Sequence, residues 1–97
     1  MAKEVEYIEI LGIKAKVAKN FPERARGLIG HKPPPPGTGL LIPKCNAIHT
    51  FFMSYPIDAI FIDAKGNAVK TVRAIPPWKI FVWGTWRAKA VLEIAAT

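Results

Sequence analysis

Nine prolines and seven glycines divide this chain of 97 residues into short segments. Proline lacks the amide N–H that a helix interior or central strand needs, and glycine marks turns, so the elements between them are short. The strongest break is Pro33-Pro34-Pro35-Pro36-Gly37. Four consecutive prolines favour an extended polyproline conformation and read as a stiff surface loop. Between the breaks the apolar residues alternate. Residues 4–10 set Val5 and Tyr7 against Glu6, Ile8 and Ile10, and residues 13–17 set Ile13, Ala15 and Val17 against Lys14 and Lys16. Such alternation marks half-buried strands, and Leu11-Gly12 between them supplies a hairpin turn.

Further strands are expected at 39–43, at 49–53 as an extended piece, and at 56–63, the most apolar run. They are also expected at 68–75 after the turn at 64–67, at 80–83 and at 88–95. One helix is expected. Asn20 is a good N-cap, Pro22 suits the first turn and Glu23 stands where a capping box places its acid. The helix should run on through Leu28 and Ile29, with Gly30 as its left-handed stop. Gly27 inside it costs about 1 kcal/mol relative to alanine, which points to close packing of the backbone on a neighbour. The expected architecture is a single, mainly β domain over residues 1–97, a small β-sandwich or compact barrel with one short α-helix.

Composition narrows the function classes. Hydrophobic residues make up 51% of the chain, enough for a core. A single cysteine excludes an internal disulfide and every multi-cysteine zinc pattern. No apolar run reaches the ~20 residues of a membrane span, and the N-terminus, residues 1–6, shows no apolar segment of signal-peptide length. The expectation is a cytoplasmic protein that makes no membrane contact. The net charge is +7. Lys14, Lys16, Lys19, Arg24, Arg26, Lys32 and Lys44 face only one acid in that stretch, Glu23. Such a stretch attracts anions, whether a small anionic ligand or nucleic acid, or simply forms a solvated basic face.

Several side chains could carry chemistry. Cys45, His49 and Met53 recur every four residues and are soft ligands of the kind that suit Cu(I), although zinc would need more donors. The simpler reading is a buried thiol, a buried thioether and a hydrogen-bonded imidazole, with no metal and no cofactor. Cys45 and His49 also have the residue types of a nucleophile and its base, with Asp58 or Asp63 to orient the imidazole. Asp58 lies in a very apolar run and needs a partner, for which Arg24 or Arg26 on the helix are natural candidates. Phe81 and Trp83 share a strand face and are expected to fill the core. Trp86, beside Gly84-Thr85, is the better exposed platform for a base or sugar.

The run from Pro43 through Cys45, His49, Thr50 and Met53 to Asp58 and Asp63 closely resembles the core motif of an uncharacterised prokaryotic family, domain of unknown function one-nine-two. The segments 23–30, 76–78 and 90–96 resemble its helix signature, its loop motif and its closing strand. The resemblance implies a mainly β fold with a short helix and implies no activity. The matching polar positions are Arg24, Cys45, His49, Thr50, Asp58 and Glu93. A shared pocket would be lined by them. The leading functional expectation is therefore a module that binds a small or anionic ligand near Arg24, Cys45, His49 and Asp58. The alternatives are a thiol enzyme built on Cys45 and His49, and a nucleic-acid binder using the basic stretch and Trp86.

Overall fold

The alternating N-terminal segments pair as the pattern requires. In the computed structural model, which describes residues 5–96, β1 (Tyr7–Ile10) and β2 (Ile13–Val17) form an antiparallel hairpin. Leu11 and Gly12 turn it with φ of 53° and 77°, the positive values that a two-residue hairpin turn demands. Glu4, where the alternation begins, lies outside the described residues.

The helix α1 (Phe21–Arg26) starts where its cap places it. Asn20 Oδ1 accepts the Glu23 N–H at 2.9 Å, and Glu23 reaches back to Asn20 Nδ2 at 2.9 Å and to the Lys19 N–H at 3.3 Å. It ends one turn earlier than expected, at Arg26. Gly27 leaves the helix with φ 55° and ψ −129°, a conformation open to glycine and costly for other residues. Space is also short there, since a Cβ on Gly27 would stand 2.9 Å from Glu93 Oε1.

Strand β3 (Thr38–Pro43) runs parallel to β2 after the crossover that contains α1 and the proline loop. It is followed by β4 (Ala47–Ile48), β5 (Ile57–Ile62), β6 (Ala68–Ile75), β7 (Val82–Trp83) and β8 (Ala90–Ala95). Six strands form one mixed sheet in the order β1-β2-β3-β8-β5-β6, and β4 and β7 form a separate two-stranded ribbon. The fold is mainly β with one short helix, as the sequence led us to expect. The inner strands β3, β5 and β8 read as continuous apolar runs because both faces of the sheet are covered. Leu40, Ile42, Ala59, Phe61 and Val91 belong to one cluster with Leu28, Met53 and the ribbon residue Ile48. Leu41, Ile62 and Leu92 belong to another, with Ala15 and the apolar side chains of β1 and β2.

Phe81 is not a core residue. Val82 points inward to the first cluster, whereas Phe81 lies on the outside of the ribbon, stacked on Trp83 at 6.3 Å. A two-residue strand on an outer ribbon buries only one of its faces.

Asp58 is buried and does not meet the helix arginines. Its Oδ1 accepts the Ala74 N–H at 2.7 Å, and Arg73 Nη1 stands 4.0 Å from Oδ2. Between the pairs Ile57–Ile75 and Ala59–Val72 the register shifts, so Arg73 and Ala74 together oppose Asp58. Ala74 takes φ 53° there. Asp58 thus ties down a β-bulge. Asp58→Ala leaves the Ala74 amide unpaired, with an expected loss of about 1–3 kcal/mol in urea unfolding.

Candidate functional site

A cavity of about 310 Å³ opens between α1, the β3–β4 connection and β8. The helix α1, bounded by the cap at Asn20 and the stop at Gly27, brings Arg24 and Arg26 to one side of the cavity. Lys44 turns the chain after β3 with φ 55° and brings itself and Cys45 to the other side. His49 and Met53 enter from the segment after β4. Glu93, on β8 between Leu40 of β3 and Ala59 of β5, contributes the buried acid.

Glu93 is 3% exposed, and among the described residues nothing hydrogen-bonds its Oε1. Burial pushes its pKa up to about 7 from the ordinary 4.5, with only the Leu28 amide, donating to the carboxyl, working the other way. The cations that line the cavity are Arg24, Arg26 and Lys44, and Glu93 is its single acid. Arg26 is partly engaged, since its Nε donates to the Ile29 carbonyl at 2.7 Å. Near neutral pH this is a cationic mouth over a carboxyl group poised between its two protonation states.

The structure brings Arg24, Cys45, His49 and Glu93 to one cavity and leaves Thr50 and Asp58 outside it. Thr50 is buried beside the site as a stitch. Its hydroxyl donates to the Pro76 carbonyl at 2.7 Å and accepts the Lys79 N–H at 2.8 Å. Sequence reasoning missed Lys44 as a lining residue, because nothing in Pro43-Lys44-Cys45 signals its left-handed backbone. It did single out Gly27 for a close approach, and the neighbour is Glu93.

The thiol and the imidazole do not serve each other. Cys45 Sγ donates to the Ala47 carbonyl at 3.0 Å, and His49 Nδ1 accepts the Phe51 N–H at 3.2 Å. Burial is the largest influence on the Cys45 thiol and pushes its pKa up, away from the thiolate that a nucleophile requires. Asp63 cannot orient the imidazole from where it lies, because its Oδ1 accepts the Lys65 and Asn67 amides in the β5–β6 turn. Among the described residues no three His, Cys, Asp or Glu side chains converge as a metal site would need.

The basic stretch is divided in space. Lys14 lies over the Tyr7 ring at 5.0 Å and Lys19 stands 3.6 Å from Glu6, while Arg24, Arg26 and Lys44 gather at the cavity. Trp86 is 82% exposed, edge-on to Trp83 at 5.1 Å. No helix among the described residues is long and apolar enough to cross a membrane.

Fold and site define a small mainly β domain with a cationic cavity under its helix. The chain belongs to the family of uncharacterised proteins called DUF192, domain of unknown function one-nine-two, whose sequence profile matches residues 5–97. It is 37% identical over 75 residues to a UPF0127 protein of Pyrococcus abyssi, covering 71% of this chain and 61% of that protein. The match therefore spans less than two thirds of the relative's length. A UPF0127 protein of Pyrococcus horikoshii is 34% identical over 84 residues, covering 82% of this chain and 70% of the relative. Two crystal structures share the fold. A protein of unknown function from Novosphingobium aromaticivorans superposes with a TM-score of 0.77 at 16% identity, covering 98% of this chain and 83% of the other. A candidate transcription regulator from Sinorhizobium meliloti superposes with a TM-score of 0.78 at 19% identity, covering 87% and 69%. At these identities the likeness concerns the fold alone.

Proposed function

We propose that the domain is a binding module for a small anion, a carboxylate or phosphate group held in the cavity under α1. The observation that carries this reading is the unpaired, buried Glu93 Oε1 facing a cavity whose other charges are Arg24, Arg26 and Lys44. A buried polar atom without a partner is costly, and a ligand atom that hydrogen-bonds it removes that cost. When protonated, the Glu93 carboxyl donates to an anion that the cations hold from the mouth. When ionised, it repels the same anion.

The sign of the pH dependence follows from this. Anion affinity is highest below pH 7, where Glu93 is neutral, and falls as pH rises through about 7. The test is calorimetric titration with acetate. Affinity is expected to drop by up to about tenfold from pH 6 to pH 8, as the protonated fraction of Glu93 falls, and Arg24→Ala is expected to weaken binding at pH 6 by a similar factor. Acetate binding that ignores both pH and Arg24 would remove the support for this reading.

A further inference from the structure

The loop after β4 joins the cavity to a second feature. His49 and Met53 line the cavity, whereas between them Phe51 is half-buried and Phe52 exposed. The His49 and Phe51 rings are 5.6 Å apart, Phe51 and Trp78 6.2 Å, and Phe52 and Trp78 4.8 Å in an edge-on contact. A continuous row of rings therefore leads from the cavity mouth onto the surface, where Phe52 is 68% and Trp78 57% exposed.

This row is built, not incidental. Phe52 and Trp78 take φ of 62° and 69°, the left-handed region that a bulky L-residue occupies only at an energetic cost. Thr50 holds both segments in place. Its carbonyl accepts the Trp78 N–H at 2.7 Å and the Met53 N–H at 3.2 Å, and its own N–H donates to the Lys79 carbonyl at 2.9 Å. With its hydroxyl bonds to Pro76 and Lys79, this one buried residue stitches the 76–79 segment onto the 50–53 loop. Backbone strain buttressed by buried hydrogen bonds, and used to keep two aromatic rings in water, points to recognition.

We infer that the Phe51–Phe52–Trp78 shelf and the cavity form one composite site for an acidic saccharide, whose carboxylate enters the cavity while the adjoining sugar ring stacks on Trp78 and Phe52. This rests on the anion-binding reading above and names its ligand class. A sugar needs exposed ring faces for its C–H groups and an anchor for its charge, and both are present. A nucleobase fits less well, because the three shelf residues carry no amide or carboxylate to read a base edge. The surroundings suit an anion, since Lys79 adjoins Trp78 and the acids between Glu23 and Glu93 are only Asp58, committed to Ala74, and Asp63, committed to the β5–β6 turn.

The test uses acetate and a glucuronate–glucose disaccharide as probes, titrated calorimetrically at pH 6. The disaccharide is expected to bind about tenfold more tightly than acetate. Trp78→Asn and Phe52→Asn each remove a ring while keeping a residue that tolerates the left-handed backbone. Each is expected to bring the disaccharide down to the affinity of acetate and to leave acetate binding unchanged. If acetate binds in an Arg24-dependent way and the disaccharide binds no better, the composite site is overturned while the anion cavity stands. If neither probe binds, or binding ignores Arg24, both fall. If phosphatidylglycerol vesicles bind through Phe52 and Trp78 and the disaccharide shows no advantage, the shelf is a bilayer contact and the saccharide proposal is overturned.

Discussion

Glu93→Gln is expected to raise the melting temperature at pH 8 by on the order of 10 °C and to change it little at pH 4. The carboxyl titrates at about 7 in the fold against an ordinary 4.5. Between these values the native state holds a proton that the unfolded chain has released, so stability falls as pH rises from 4.5 to 7. Once Glu93 is ionised the loss is on the order of 3 kcal/mol. Above pH 7 the cost persists in full, and below 4.5 it is absent. Glutamine keeps an acceptor for the Leu28 amide and removes the charge, so its advantage appears only at the higher pH. The groups facing Glu93 are Arg24 and Arg26 from α1, Lys44 and Cys45 from the β3–β4 connection, His49 beyond β4, and Tyr55, whose pKa burial and Glu93 push up. A wild-type melting temperature flat from pH 5 to 8, matched by the variant, would contradict the burial argument.

Gly27→Ala is the second large effect. Two costs combine at this position. The backbone at φ 55° and ψ −129° is strained for any residue with a Cβ, and that Cβ would press on Glu93 Oε1 at 2.9 Å. Together they are expected to destabilise the protein by about 3 kcal/mol in urea unfolding. The two parts separate in a double-mutant cycle with Glu93→Ala. The steric part disappears in that background, because the clash is with the end of one side chain, and the backbone part remains. Equal losses in both backgrounds would mean that Gly27 serves the helix stop alone and has no role in making room for the carboxyl.

Local signals in the sequence specify several elements directly. The hairpin at Leu11-Gly12, the Asn20–Glu23 cap and the whole of β6, residues 68–75, follow from patterns a few residues long, and the structure has them in place. The departures involve partners distant in sequence. The helix ends at Gly27, whose bare Cα packs against Glu93, far along the chain. Asp58 could be recognised as needing a partner, but its partner is a bulge amide created by a register shift that no local pattern announces. The same holds for the cavity. The residue types at Arg24, Cys45 and His49 suggested a site, whereas Lys44 joins them through a backbone dihedral. Phe81 is exposed where alternation predicts a core position, because alternation shows which residues share a face and not which face is covered.

In the proposed binding module Glu93 is the acid of an anion-binding cavity. The most direct test of this role is the carbon-13 NMR titration of the Glu93 carboxyl, assigned by comparison with Glu93→Gln, with and without acetate. Titration is expected near pH 7 in the free protein and is expected to move upward with acetate, because an anion that favours protonated Glu93 must raise the pKa of that carboxyl. A carboxyl titrating near its ordinary value, or one whose titration acetate leaves in place, would contradict it.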